Sequence, residues 1–160
     1  MSRHYIIDGC NVIFNSAFAG YRKHKQPRQA LLDFLIAERP CGSLKNKITV
    51  VFDGYSSNLN YDQQQITVIF SAHESADERI KKILENKHVL IKQVILVSDD
   101  RQIRDFARII GVEVLAVEDF LQQANRKKQK CVGMECLKPE LSHSQMLQIN
   151  RELRRIWLKE

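Results

Sequence analysis

The stretch Lys47-Ile48-Thr49-Val50-Val51-Phe52-Asp53 constrains the fold more than any other part of the chain. It is rich in β-branched residues, and its apolar positions run on without the polar alternation of a half-exposed strand. A strand of that kind has both faces buried, as in a parallel sheet covered by helices. Four further short apolar runs read the same way: His4 to Asp8, Ile66 to Phe70, Gln93 to Ser98 and Val112 to Val117. Helical patterns lie between them. Pro27 suits a first helical turn and leads into Ala30, Leu31, Phe34 and Leu35, with a stop before Pro40-Cys41-Gly42. Ser75-Ala76-Asp77-Glu78 has the form of a capping box and precedes Ile80, Ile83 and Leu84. Asp100 to Ile110 puts Ile103, Phe106, Ala107 and Ile110 on one face and ends at Gly111. Strands alternating with helices predict an α/β, three-layer αβα sandwich around a mostly parallel five-stranded sheet.

The chain's 160 residues suit one domain of ordinary size. With 44% hydrophobic and 28% charged residues, the composition excludes wholesale disorder and fibrous classes. No apolar run reaches the roughly 18 to 20 residues of a membrane span, and the start Met1-Ser2-Arg3-His4 has no signal-peptide core, so a cytoplasmic protein without membrane contact is expected. Cys131 and Cys136 are separated by four residues, but Cys10 and Cys41 supply no second pair and no histidine completes a short finger. Reduced thiols are therefore expected rather than a zinc site. Residues 126–160 carry nine Lys/Arg against four acids, so +5 of the net +6 sits there. That divides the chain into a nearly neutral domain over 1–125 and a basic linker with a terminal helix, Pro139 to Lys159, over 126–160. A basic segment attracts polyanions, although a solvated helix face would look the same.

The acids stand where the strands end. Asp8 closes the first run, Asp53 the second and Asp99-Asp100 the fourth, and Asp77 lies in the first turn of the helix after the third. The carboxyl ends of parallel strands share one edge, where ligands gather in open α/β sheets. Carboxylates meeting there repel one another and raise each other's pKa unless a cation neutralises them. Mg²⁺ or Mn²⁺, which favour oxygen ligands, would do so and could activate a water against a phosphodiester. Singly, each acid has a structural reading. Asp8-Gly9 and Asp53-Gly54 are turn dipeptides, Asp77 answers a helix dipole, and Asp99 could cap the next helix with Gln102 helping. Taken as a set they point to a metal site. Asn11 could orient a ligand or a phosphate, or cap a helix; Ser98 could hold a metal-linked water or likewise cap.

These residues resemble the motifs of NYN domains within the PIN-like nuclease superfamily. Asp8-Gly9-Cys10-Asn11 is similar to the family's opening D-G-x-N, and Val51-Phe52-Asp53-Gly54 to its second acidic motif. Ser75-Ala76-Asp77-Glu78-Arg79-Ile80 resembles the helix that bears the third acid. Ser98-Asp99-Asp100-Arg101-Gln102-Ile103 resembles T-S-D-R-x-I, with the family acid on Asp100 and Asp99 in place of a small polar residue. Either of that pair could ligate. The combination is most similar to the YacP-like branch and covers roughly Tyr5 to Leu121.

The resemblance implies a PIN-like (Rossmann-like) sheet order near 3-2-1-4-5 and a Mg²⁺- or Mn²⁺-dependent endoribonuclease acting on single-stranded RNA or mRNA, with the ribosome as a further partner. Asp8, Asp53, Asp77 and Asp100 would then bind metal and carry catalysis, supported by Asn11, Ser98 and Asp99. Arg22, Lys23 and Lys25 beside Tyr21, together with Arg101 and the run Arg126, Lys127, Lys128 and Lys130, would hold RNA, with Tyr21 a ring on which a base could stack. The alternative is a non-catalytic RNA-binding adaptor of the same fold. A receiver-type phosphotransfer domain fits less well, because no Lys closes the last strand. A phosphatase is disfavoured because Cys10 stands where its second Asp would be.

Overall fold

The computed structural model describes residues 2–22, 26–55, 58–59, 61, 64, 66–86 and 91–125. Its sheet has five strands: β1 (His4–Asp8), β2 (Lys47–Phe52), β3 (Ile66–Phe70), β4 (Val94–Val97) and β5 (Glu113–Leu115). Their order is β3-β2-β1-β4-β5, and every pairing is parallel. This is the order that the resemblance implied. The strands at Val94 and Glu113 are shorter than the apolar runs suggested, because Ser98 turns inward after β4 and Val117 already begins a helix.

The helices are α1 (Gly9–Phe14), α2 (Pro27–Glu38), α3 (Ala76–Glu85), α4 (Arg101–Ile109) and α5 (117–125), with a 3₁₀ segment at Ser16–Arg22. They form two layers. Tyr5, Ile7, Val50, Phe52, Ile95 and Val97 pack beneath α1, α2, the 3₁₀ segment and α5. On the opposite face Ile6, Val51, Val94 and Leu96 meet Ile80 and Leu84 of α3 and Ile103 and Ala107 of α4. Neighbouring residues in one strand thus serve different cores, which is why the sequence shows continuous apolar runs.

Helix ends follow local chemistry. Ser75 accepts from the Glu78 N–H at 3.2 Å and caps α3. Gly111, at φ +83°, turns the chain out of α4 towards β5. The helix α1 departs from expectation: Asp8-Gly9 starts a helix directly from the strand instead of making a turn. Gly9 permits this because a Cβ there would overlap the Phe52 ring and stand 3.0 Å from the Val51 carbonyl oxygen. Among the described residues no helix is long and apolar enough to cross a membrane.

Candidate active site at the carboxyl edge of the sheet

Asp8 is the most enclosed acid, 2% exposed at the end of β1. It is the N-cap of α1. Its carboxylate accepts from the Asn11 backbone N–H at 3.1 Å and from the Asn11 side-chain amide at 2.6 Å. The fully buried Ser98 hydroxyl donates to it at 3.3 Å, and the same hydroxyl accepts from the Asp100 N–H at 3.1 Å. Ser98 therefore ties the end of β1 to the start of α4. Burial raises the Asp8 pKa, the bonds from Asn11 and Ser98 oppose that rise, and the Asp53 charge adds to it.

Asp53 is exposed just past β2. It accepts from the Ala76 N–H, the first of α3, at 2.7 Å, so it pins the helix that carries Asp77. Its own carbonyl receives the Arg28 guanidinium at 2.6 Å, and the Tyr55 carbonyl receives the same group at 3.4 Å. That guanidinium lies 5.6 Å from the centroids of the Phe52 and Phe70 rings. Arg28 was not singled out in the sequence, where it reads as an ordinary surface position of α2.

Asp77 is half-buried, and among the described residues no hydrogen bond reaches its carboxylate. Its pKa is raised, first by burial and then by the charges of Asp100, Asp8 and Asp53, with Lys81 partly opposing. One side chain thus feels all three of the other acids predicted for the site. Asp8, Asp53, Asp77 and Asp100 all stand at the carboxyl edge of the sheet, although they are spread along ninety-odd residues of chain.

The neighbouring pair divides its tasks. Asp100 caps α4, accepting from the N–H groups of Gln102 at 2.8 Å and Ile103 at 3.2 Å, and its charge reaches Asp77. Asp99 does not cap α4 as the sequence suggested. The chain turns its carboxylate towards the first N–H of α5, at Val117, at 3.0 Å, and the Asn15 amide joins it at 3.1 Å.

Among the described residues no three His, Cys, Asp or Glu side chains stand close enough to hold an ion between them directly. The donor set still fits a hard divalent cation. It consists of carboxylate oxygens only, and Mg²⁺ commonly takes one or two carboxylates and keeps several waters. The Cys10 thiol lies against Asp53 and is half-buried, with its pKa raised chiefly by burial; a protonated thiol does not compete as a ligand.

Tyr21 is only partly open to solvent. Its ring stacks on Phe18 at 5.5 Å and meets Phe34 edge-on at 4.7 Å, and its hydroxyl donates to Asn125 at 3.2 Å. It is partly buried against the core, its ring already engaged by Phe18 and Phe34. Arg22 is half-buried at the end of the 3₁₀ segment, and Arg101 is exposed one residue after Asp100. Lys23, Lys25, Arg126, Lys127, Lys128 and Lys130 lie outside the described residues, as does the expected terminal helix. A feature absent from the sequence reading is an open-sided pocket of about 560 Å³ between α1 and the start of α2, with Phe14, Gln26, Arg28 and Asp53 in its walls.

A profile of the YacP-like NYN domain matches residues 5–157. Among solved structures, crystalline Rae1 (YacP) from Bacillus subtilis is similar at a TM-score of 0.56 and 21% identity, over 97% of this chain and 95% of that one. A tryptophan-to-leucine variant of Rae1 gives a TM-score of 0.63 at 20% identity, over 90% of each chain. These structures share the PIN-like fold with this chain. No curated protein matches it.

Proposed function

This chain belongs to the family of YacP-like NYN domains, and on that premise we propose that it is a divalent-metal-dependent endoribonuclease. The observation that carries the proposal is positional: Asp8 ends β1, Asp53 follows β2, Asp77 lies in the first turn of α3 and Asp100 caps α4 after β4, all at the carboxyl edge of one parallel sheet. Burial and the neighbouring acids raise the pKa of Asp77, and burial and Asp53 raise that of Asp8, an arrangement that a doubly charged ion relieves. Bound there, Mg²⁺ or Mn²⁺ supplies a polarised phosphodiester and a water acidified for in-line attack.

The protein's own groups have distinct tasks in this proposal. Asn11 and Ser98 fix the Asp8 carboxylate and oppose its protonation, keeping a charge available at the bottom of the site. Asp53 holds the first turn of α3 so that Asp77 faces the other acids. Asp100 reaches the same place from the cap of α4. Asp99 supports from outside by anchoring α5 and Asn15. Arg101, exposed beside Asp100, supplies positive charge for a phosphate of the strand, and Arg22, Lys23, Lys25, Arg126, Lys127, Lys128 and Lys130 are further charges that attract RNA or a ribosomal surface.

A cleavage assay tests the proposal, using single-stranded and structured RNAs in Mg²⁺, Mn²⁺ or chelator, with wild type against Asp8→Asn. Metal-dependent internal cuts leaving 5′-phosphates, lost in the variant, are expected. Undiminished cleavage by Asp8→Asn, or by wild type in chelator, rejects the proposal. The second reading, an RNA-binding adaptor without turnover, draws support from the spacing of the acids, no three of which close on one point among the described residues. Tight RNA binding with no cleavage in either metal would select it.

A further inference from the structure

The pocket beside the acids has properties that the metal site does not use. Phe14, the last residue of α1, is 77% exposed, so an apolar ring of a one-and-a-half-turn helix stands in solvent instead of the core. No aromatic partner meets it among the described residues. Across the opening, Gln26 precedes α2 at its N-cap position, yet its side chain makes no capping bond. Its amide offers both a donor and an acceptor to the pocket. Cys10 and Asp53 line the same space, so one wall is shared with the acidic edge. Arg28 adds a positive charge, but its bonds to the Asp53 and Tyr55 carbonyls fix it as part of the wall.

We propose that this pocket is a nucleobase subsite: it takes one base of the RNA strand next to the scissile phosphate, stacked on Phe14 and read at its edge by the Gln26 amide. The inference rests on the nuclease reading for its substrate class. Three observations support a base as the occupant. A volume of about 560 Å³ lies within the range of small-ligand sites, roughly 300 to 1,000 Å³. An exposed ring beside an unpaired amide matches how single-stranded RNA is bound, by stacking on aromatic faces and hydrogen bonding at base edges. Asp53 lines the pocket, so such a base would sit beside one of the acids.

The test measures Kd by fluorescence anisotropy in Mg²⁺, with single-stranded phosphorothioate RNAs that resist cleavage. One series is intact, and the other carries a single abasic ribose at successive positions. Phe14→Ala should weaken binding of intact RNA by roughly 5- to 100-fold, the span of one lost stacking partner. Phe14→Trp should restore it. An abasic residue at one position should cost wild type a similar factor and cost Phe14→Ala nothing more. Gln26→Ala should flatten the preference among the four homopolymers. Phe14 is too exposed for its loss to unfold the chain, and circular dichroism checks this. Unchanged affinity in Phe14→Ala overturns the subsite, and so do abasic and Phe14→Ala losses that simply multiply. Wild type that binds these RNAs with the Phe14 dependence but cuts no ordinary RNA sinks the nuclease reading and leaves the subsite standing.

Discussion

Asp8 offers the sharpest separation between structure and chemistry, because two substitutions there should have different profiles. Asp8→Ala removes the acceptor of three hydrogen bonds, from the Asn11 N–H, the Asn11 amide and the Ser98 hydroxyl. Losing the cap costs about 1 kcal/mol. A fully buried Ser98 hydroxyl left without its acceptor costs roughly 1 to 3 kcal/mol. The total is about 2 to 4 kcal/mol, lessened by whatever the buried charge itself cost. Asp8→Asn keeps the cap, since Asn serves there as well as Asp, and the Asn11 amide can turn over to meet the new NH₂ group. The Ser98 hydroxyl donates to the same carboxylate oxygen as the Asn11 amide and loses its acceptor here too, so the cost should be roughly 1 to 3 kcal/mol, about 1 kcal/mol below that of Asp8→Ala because the cap is kept.

The pH dependence has a definite sign. Burial raises the folded Asp8 pKa above its ordinary value of 3.8, so the folded state holds this proton more tightly than the unfolded chain does. Stability from this group is therefore present at low pH and falls as pH climbs from that value through the raised one. Asp8→Asn removes the loss, so it should compare better with wild type at pH 7 than at pH 4. Urea unfolding followed by circular dichroism at both pH values measures this, alongside RNA cleavage at pH 7. Asn as destabilising as Ala, or faring worse at neutral pH, would refute the reasoning about the hydrogen bonds and burial of Asp8.

Gly9→Ala should destabilise by about 1 to 3 kcal/mol in the same unfolding assay, because its methyl group meets the fully buried Phe52 ring and the Val51 carbonyl. Asp100→Asn keeps the α4 cap but deletes the largest charge acting on Asp77, so the Asp77 pKa should fall when followed by carboxyl ¹³C NMR in metal-free buffer. Ser98→Ala should raise the Asp8 pKa further, since the lost hydroxyl bond opposed the rise, and should cost roughly 1 to 3 kcal/mol by leaving the Asp100 N–H unpaired.

The sheet and its acidic edge were legible because strands buried on both faces must be written in long Val/Ile runs, and in a parallel sheet their ends necessarily align. Asp8, Asp53 and Asp100 sit where those runs stop, so their place on one edge of the sheet followed from topology. The helix α1 was hidden: it spans only Gly9–Phe14, and Asp-Gly after a strand reads as a turn. Its unseen presence concealed Phe14, since an apolar residue is ordinarily assigned to a core. The partial burial of Tyr21 against Phe18 and Phe34 was hidden for the converse reason, its basic neighbours suggesting a surface. The signal was available, however. Phe18 and Tyr21 are three apart, and in a 3₁₀ segment residues at that spacing lie on one side. Which of Asp99 and Asp100 faces the acids depended on how the chain leaves β4, and on Val117 beginning a helix whose N–H Asp99 could meet. Neither is encoded in the local motif.

The central claim is that these acids form a single cation site, and Mn²⁺ titrated into ¹⁵N-labelled protein tests it directly. Paramagnetic broadening should appear first at the amides of Asn11, Ala76, Asp77 and Arg101, and Asp8→Asn should suppress it at all of them together. Broadening that begins at exposed acids elsewhere, such as Asp105, Glu113 and Glu118, while the Asp77 amide stays sharp, would contradict it.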